Sequence, residues 1–131
     1  MPRPDELPAM EFMGVDNRPS PRFSAVRELT PMFQRPPDRV WAQCFRIECQ
    51  ISSVIDWQGA DFAKCRHDDV TLVSDAMRRA TAAADARFVE HLRTVEPKRA
   101  SDIVAAEQIS AVSMAVDGPY VLPMGPPNGV Y

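Results

Sequence analysis

The sequence predicts an α+β chain, with an N-terminal β-hairpin, antiparallel strands through its middle and a helix toward its C-terminal end. Three observations carry this. "EFMGV" and "RFSAVRELT" are short, partly alternating segments separated by "DNRPSP", whose Asp, Asn, Pro and Ser residues favour a turn. "FRIECQISS" alternates strictly, with Phe45, Ile47, Cys49 and Ile51 on one side and Arg46, Glu48, Gln50 and Ser52 on the other. "SDIVAAEQISAVSMAVDG" begins with Ser101 as an N-cap and carries Ala105, Ile109, Val112 and Val116 at helical spacing.

Taken in order, the first two segments form the hairpin. "PMFQRPPD" then reads as a loop, because Pro31, Pro36 and Pro37 disfavour a central strand or a helix interior. From Arg39 to Trp57 two periods compete. Val40, Cys44, Ile47, Ile51 and Val54 sit at helical spacing, whereas Trp41, Phe45, Ile47, Cys49, Ile51, Ile55 and Trp57 share a strand face. Enrichment in aromatic and β-branched residues favours the strand. "DWQGAD" would be the tip of a second hairpin, and "FAKCRH" and "VTLV" short strands around Asp68-Asp69. "SDAMRRATAAADARFVEHLR" is helical by propensity alone, with Ser74 as a candidate cap. Gly118 and Pro119 stop the last helix, and the tail is too rich in proline to continue it.

The totals describe one ordinary domain. The chain has 131 residues, 45% apolar and 25% charged. Thirteen prolines against five glycines gather at the two ends, which makes 1–9 an extended arm and 119–131 a proline-rich tail. The net charge of −3 gives no overall field for nucleic acid or membrane, so any polyanion contact needs a local group of cations. No run of apolar residues is long enough for a membrane helix, and "MPRPDELPAM" has no signal-peptide core, so a cytoplasmic site of synthesis is expected.

Cys44, Cys49 and Cys65 are odd in number, which argues for free thiols over a disulfide framework. With His67 they make a nominal zinc set, but their spacing fits no compact zinc pattern, so no metal or cofactor is expected. His67 beside Asp68 and Asp69 is a conceivable general base, with a polar loop as the plainer alternative. The chain holds no glycine-rich phosphate loop and no nucleophile motif, which points away from an enzyme. Cations are better distributed for binding: Arg46, Lys64, Arg66, Arg87, His91 and Arg93 interleave with apolar residues. A solvated sheet face of mixed charge is again the plainer alternative.

The order of these strings resembles the coat protein of the small single-stranded RNA bacteriophages, the leviviruses. The shared features are a "VDN" turn after a first short strand, "FRIECQISS", "SDIVAAEQI" and a terminal "NGVY". The resemblance implies an N-terminal hairpin, a five-stranded antiparallel sheet and C-terminal helices, in an interlocked dimer whose chains pair edge to edge. It implies assembly into an icosahedral shell around single-stranded RNA, with localisation in the virion after assembly in the bacterial cytoplasm. It also implies recognition of an RNA hairpin that represses translation.

By the same resemblance the RNA face would hold Arg46, Glu48, Gln50 and Ser52. A last strand from Arg87 to Val95 would add Arg87, Val89, His91 and Arg93, after a loop within "SDAMRRATAAADA". Lys64 and Arg66 would come from the strand between. The rival readings are a helical accessory subunit wrapping a larger complex, with helices at Arg39–Ile55, Ser74–Arg93 and Ser101–Val116, and a small enzyme using Cys65 or His67.

Overall fold

The computed structural model describes residues 8–58, 62–95 and 119–123. Within them the chain is α+β, with a four-stranded antiparallel sheet. Strand β1 spans Phe12–Pro19 and β2 spans Val26–Phe33. Helix α1 (Arg39–Ile51) follows, then β3 (Asp56–Gln58) and β4 (Phe62–Arg66). A 3-10 turn at His67–Asp69 leads into the long helix α2 (Val70–Thr94). The spatial order is β1-β2-β4-β3, so β1 and β3 are the edges. The expected helix at Ser101–Val116, Gly59, the first residues of the arm and the last residues of the tail lie outside the described residues.

The strands run further than the turn residues suggest. Asp16, Asn17, Arg18 and Pro19, expected in a turn, belong to β1, and the reversal comes later, between Ser20 and Ala25. Pro31, expected in a loop, sits inside β2. The register explains why it is tolerated. Ser20 N donates to Val26 O at 2.9 Å, which fixes Ser20, Arg18 and Asp16 as the residues bonded to β2. Pro31 faces Val15 in the alternate, non-bonded pairing, so its missing N–H points away from β1. On that side β4 reaches only as far as the Leu29–Ala63 pair. Two residues on, Phe33 exchanges backbone hydrogen bonds with Tyr120 at 2.7 and 2.8 Å, which ties 119–123 to the end of β2.

The expected strand "FRIECQISS" is a helix, and this is the main correction. Pro36 and Pro37 precede Asp38, whose carboxylate accepts from Val40 N at 2.9 Å and whose carbonyl accepts from Ala42 N at 2.8 Å. That is an N-cap. Trp41, Cys44, Phe45 and Cys49 then form one buried stripe at i, i+3, i+4 and i+8. Ile51, central to the period-two reading, is exposed. The segment 74–95, expected as a loop and a strand, is also helical, as its propensity implied. "VTLV" is the first turn of α2, not a strand.

The helices pack on one face of the sheet and against each other. Ala76, Ala80 and Ala84, spaced by four, make a smooth buried ridge on α2. Beneath lies an aromatic cluster around Phe33. Its ring meets Trp41 at 5.1 Å, Phe45 at 5.3 Å and Phe12 at 6.2 Å, all edge-on, and Phe45 also stacks on Trp41 and meets Trp57. Leu29, Ala63, Phe88 and Leu92 complete this core.

Candidate functional site

The nine residues expected to share an RNA face do not share one. Arg46, on α1, is buried at 8% exposure, and its guanidinium donates to Pro123 O. Glu48 is on the same helix and pairs with Arg87 of α2 at 3.5 Å. Ser52 caps the C-terminal end of α1, its N–H donating to Glu48 O, and its hydroxyl accepts from Val54 N. Gln50 is exposed on α1. His91 and Arg93 lie near the end of α2, Arg93 paired with Glu90 at 3.3 Å. Lys64 and Arg66 alone reach a sheet surface, on β4.

That surface is the face turned away from the helices. Ala63 and Trp57 point to the core, so alternation puts Phe62, Lys64, Arg66, Asp56 and Gln58 on the other side. Among the described residues no element covers it. Its middle is a single row across all four strands. Arg18 faces Glu28, Glu28 faces Lys64, and Lys64 faces Asp56. The charges alternate in sign along the row. Directly opposed opposite charges stabilise a sheet by about 0.2–1 kcal/mol per pair. The row is therefore neutral as a whole, and Lys64 has an acid on each side. One strand carries part of the row further: Arg18 Nε also meets Asp16 at 2.8 Å.

A second concentration of polar groups sits between the helices and the residues before β1. A cavity of about 470 Å³ has Met10, Trp41 and Phe88 in its walls, with Asp85 among its lining residues. Asp85 accepts from Trp41 Nε1 at 2.8 Å and from Met10 N at 3.1 Å. One carboxylate thus links α2, α1 and the lead into β1. Burial raises the Asp85 pKa above the usual aspartate value; the two hydrogen bonds and the nearby Arg35 oppose the rise. Arg35 holds the same lead by donating to the carbonyls of Pro8 and Ala9 at 2.6 and 3.2 Å.

The thiols are not activated. Burial pushes Cys49 up to about 12 and raises Cys44 and Cys65 as well. Among the described residues no group of three or more His, Cys, Asp or Glu side chains could hold a metal ion. No described helix is long and apolar enough to cross a membrane.

Reading the sequence missed Asp85 and the charge row. Asp85 stood in a stretch expected to be a loop, although it borders the Ala84-Phe88-Leu92 stripe of a helix. The row could be found only by aligning strands, and a single chain does not state their register. No family model matches the chain, and neither curated proteins nor solved structures give a match.

Proposed function

We propose that the chain works by association with copies of itself, as a structural protein rather than a catalyst. The observation that carries this reading is the open side of the sheet at β1. The hydrogen-bond parity that directs Asp16 and Arg18 toward β2 directs the main-chain groups of Val15 and Asn17 outward. Among the described residues no strand meets them, and the Asn17 carbonyl accepts only from the Arg27 guanidinium, at 3.3 Å. An unpaired strand edge is a template for another strand.

The specific form of the proposal is a shell-forming coat protein that packages single-stranded RNA, its unit a dimer with a continuous sheet. Its support is narrower than the resemblance implies. Lys64 and Arg66 remain on the open sheet face, but Arg46 is turned into the core. Acids flank Lys64 in the row. RNA contact in this form rests on Arg66 and on cations outside the row, not on the nine residues acting together.

Expression of the chain alone, followed by electron microscopy and nuclease treatment of the soluble fraction, tests both levels. Regular particles with protected RNA establish the coat form. A discrete oligomer without RNA keeps self-association and removes the coat form. A monomer at all concentrations removes both. It would favour the accessory-subunit reading, which draws its own support from α1 and α2, since both fall where that reading puts helices.

A further inference from the structure

We propose that two copies pair antiparallel along β1, on a two-fold axis at Asn17, so that Asp16 of each copy faces Arg18 of the other. The proposal rests on the self-association reading and adds to it the surface, the register and the residues that select it.

The register follows from three constraints on β1. The first is the direction of the main chain. Val15, Asn17 and Pro19 turn their backbone groups away from β2, because Arg18 and Asp16 turn theirs toward it. Two edges can bond only if outward groups meet outward groups. A two-fold axis between residues fails this, and an axis on a residue satisfies it.

The second constraint is the usable length. Gly14 has φ +106° and lies where the β1–β2 register shifts, so regular pairing begins after it. Pro19 has no outward N–H to give. The pairable edge is thus Val15 to Pro19, with Pro19 offering only its carbonyl. An axis at Asn17 uses all of it. The two Asn17 residues exchange a pair of backbone hydrogen bonds, the N–H of the other copy joining or displacing the Arg27 guanidinium that donates to the Asn17 carbonyl at 3.3 Å within one copy. Each Val15 N–H reaches the Pro19 carbonyl of the other copy, and Pro19 ends the ladder.

The third constraint is charge. An axis at Asp16 sets two aspartates against each other, and an axis at Arg18 sets two arginines together. An axis at Asn17 opposes Asp16 and Arg18 twice, in the non-bonded type of pair whose side chains are closest, with Cα atoms about 4.5 Å apart. It also extends the row on the open face. Asp56, Lys64, Glu28 and Arg18 alternate within one copy, and Asp16 of the second copy adds the next negative charge. One register therefore satisfies both the backbone and the charges.

The test is a charge swap on the full chain, read by sedimentation equilibrium. Arg18→Asp puts acids opposite acids and should weaken the dimer roughly tenfold or more, since both symmetric pairs turn repulsive. Asp16→Arg should do the same. The double variant, Asp16→Arg with Arg18→Asp, restores opposite charges in the same register and should restore the wild-type constant. Arg18 is exposed and Asp16 half-buried in one copy, and neither belongs to the core, so circular dichroism should be unchanged in all three, which excludes unfolding as the cause of a loss. A wild-type oligomer that withstands both single reversals overturns β1 pairing and leaves self-association standing. Loss in the single variants without recovery in the double variant overturns the register. A monomeric wild type overturns both proposals.

Discussion

The two faces of the sheet are built on opposite principles. The inner face is apolar and interlocked: Phe33 alone meets three rings, and Leu29, Phe33 and Ala63 are fully buried. The outer face is a lattice of charges in register, neutral along its row and open to solvent. The inner face is specified by volume and shape, so a change there is felt as lost stability. The outer face is specified by sign, so a change there is felt mainly as a change in what can lie beside it. A small domain with limited burial depends on the first for folding, and the second contributes little to it.

The largest effect should come from breaking the inner face. Phe45 is fully buried and contacts Phe33, Trp41 and Trp57, so it joins α1 to β2 and β3. Phe45→Ala should cost about 3–5 kcal/mol, because it loses ring burial and leaves a cavity among rigid neighbours. Urea denaturation measures this directly. A loss under about 1 kcal/mol would mean that the aromatic cluster collapses onto the gap and is not the rigid centre described above.

That inner face also explains which parts of the fold were legible. In β2 the buried residues Leu29, Pro31 and Phe33 alternate, but β1 shows no such alternation, and Phe23 and Ala25, which carried the alternation in the sequence, lie outside the strand and exposed. α1 could not be decided by period, because Ile47 and Ile51 belong to both patterns: they share a strand face and are also four apart in a helix. The deciding signals were Pro36-Pro37-Asp38, which starts a helix, and the exposure of Ile51, which a strand face under helices would bury. In α2 the alanines at 76, 80 and 84 spoke for a helix, and the resemblance outweighed them wrongly. The candidate site was less legible still. Lys64 and Arg66 were recognisable as surface cations, but the acids beside Lys64 come from β2 and β3, and the loops that set those offsets carry no register code.

A medium effect sharpens the boundary between the two faces at Asp85, a charge placed at the apolar side. Its folded pKa is raised, with desolvation the largest cause. The folded state therefore holds the proton more tightly than the unfolded chain. This group favours folding most below the unfolded aspartate pKa and loses that contribution as pH rises through the folded value. Asp85→Asn keeps a carbonyl acceptor for Trp41 Nε1 but does not titrate. The stability of wild type minus that of the variant should fall as pH increases across the acid range, measured by denaturation at each pH. A difference that grows with pH would reverse the sign and make the hydrogen bonds from Trp41 and Met10, rather than burial, the dominant influence on this carboxylate.

The smallest effect should come from the outer face, and its smallness is what separates the two. Lys64→Glu places three acids side by side, the new carboxylate lying between Glu28 and Asp56, where the register now has a cation between two acids. Cross-strand like charges in a solvated sheet should cost about 1 kcal/mol or less, and salt should screen part of it. Lys64→Met, which removes the charge and keeps most of the length of the stem, should cost less than the reversal. Thermal denaturation at low and at high salt distinguishes the two variants. If the row acts only through sign, the gap between the two variants narrows in high salt and both keep the fold. A loss of several kcal/mol in Lys64→Met would instead mean that the lysine stem is packed, and that the outer face is a second core rather than a solvated row of charges.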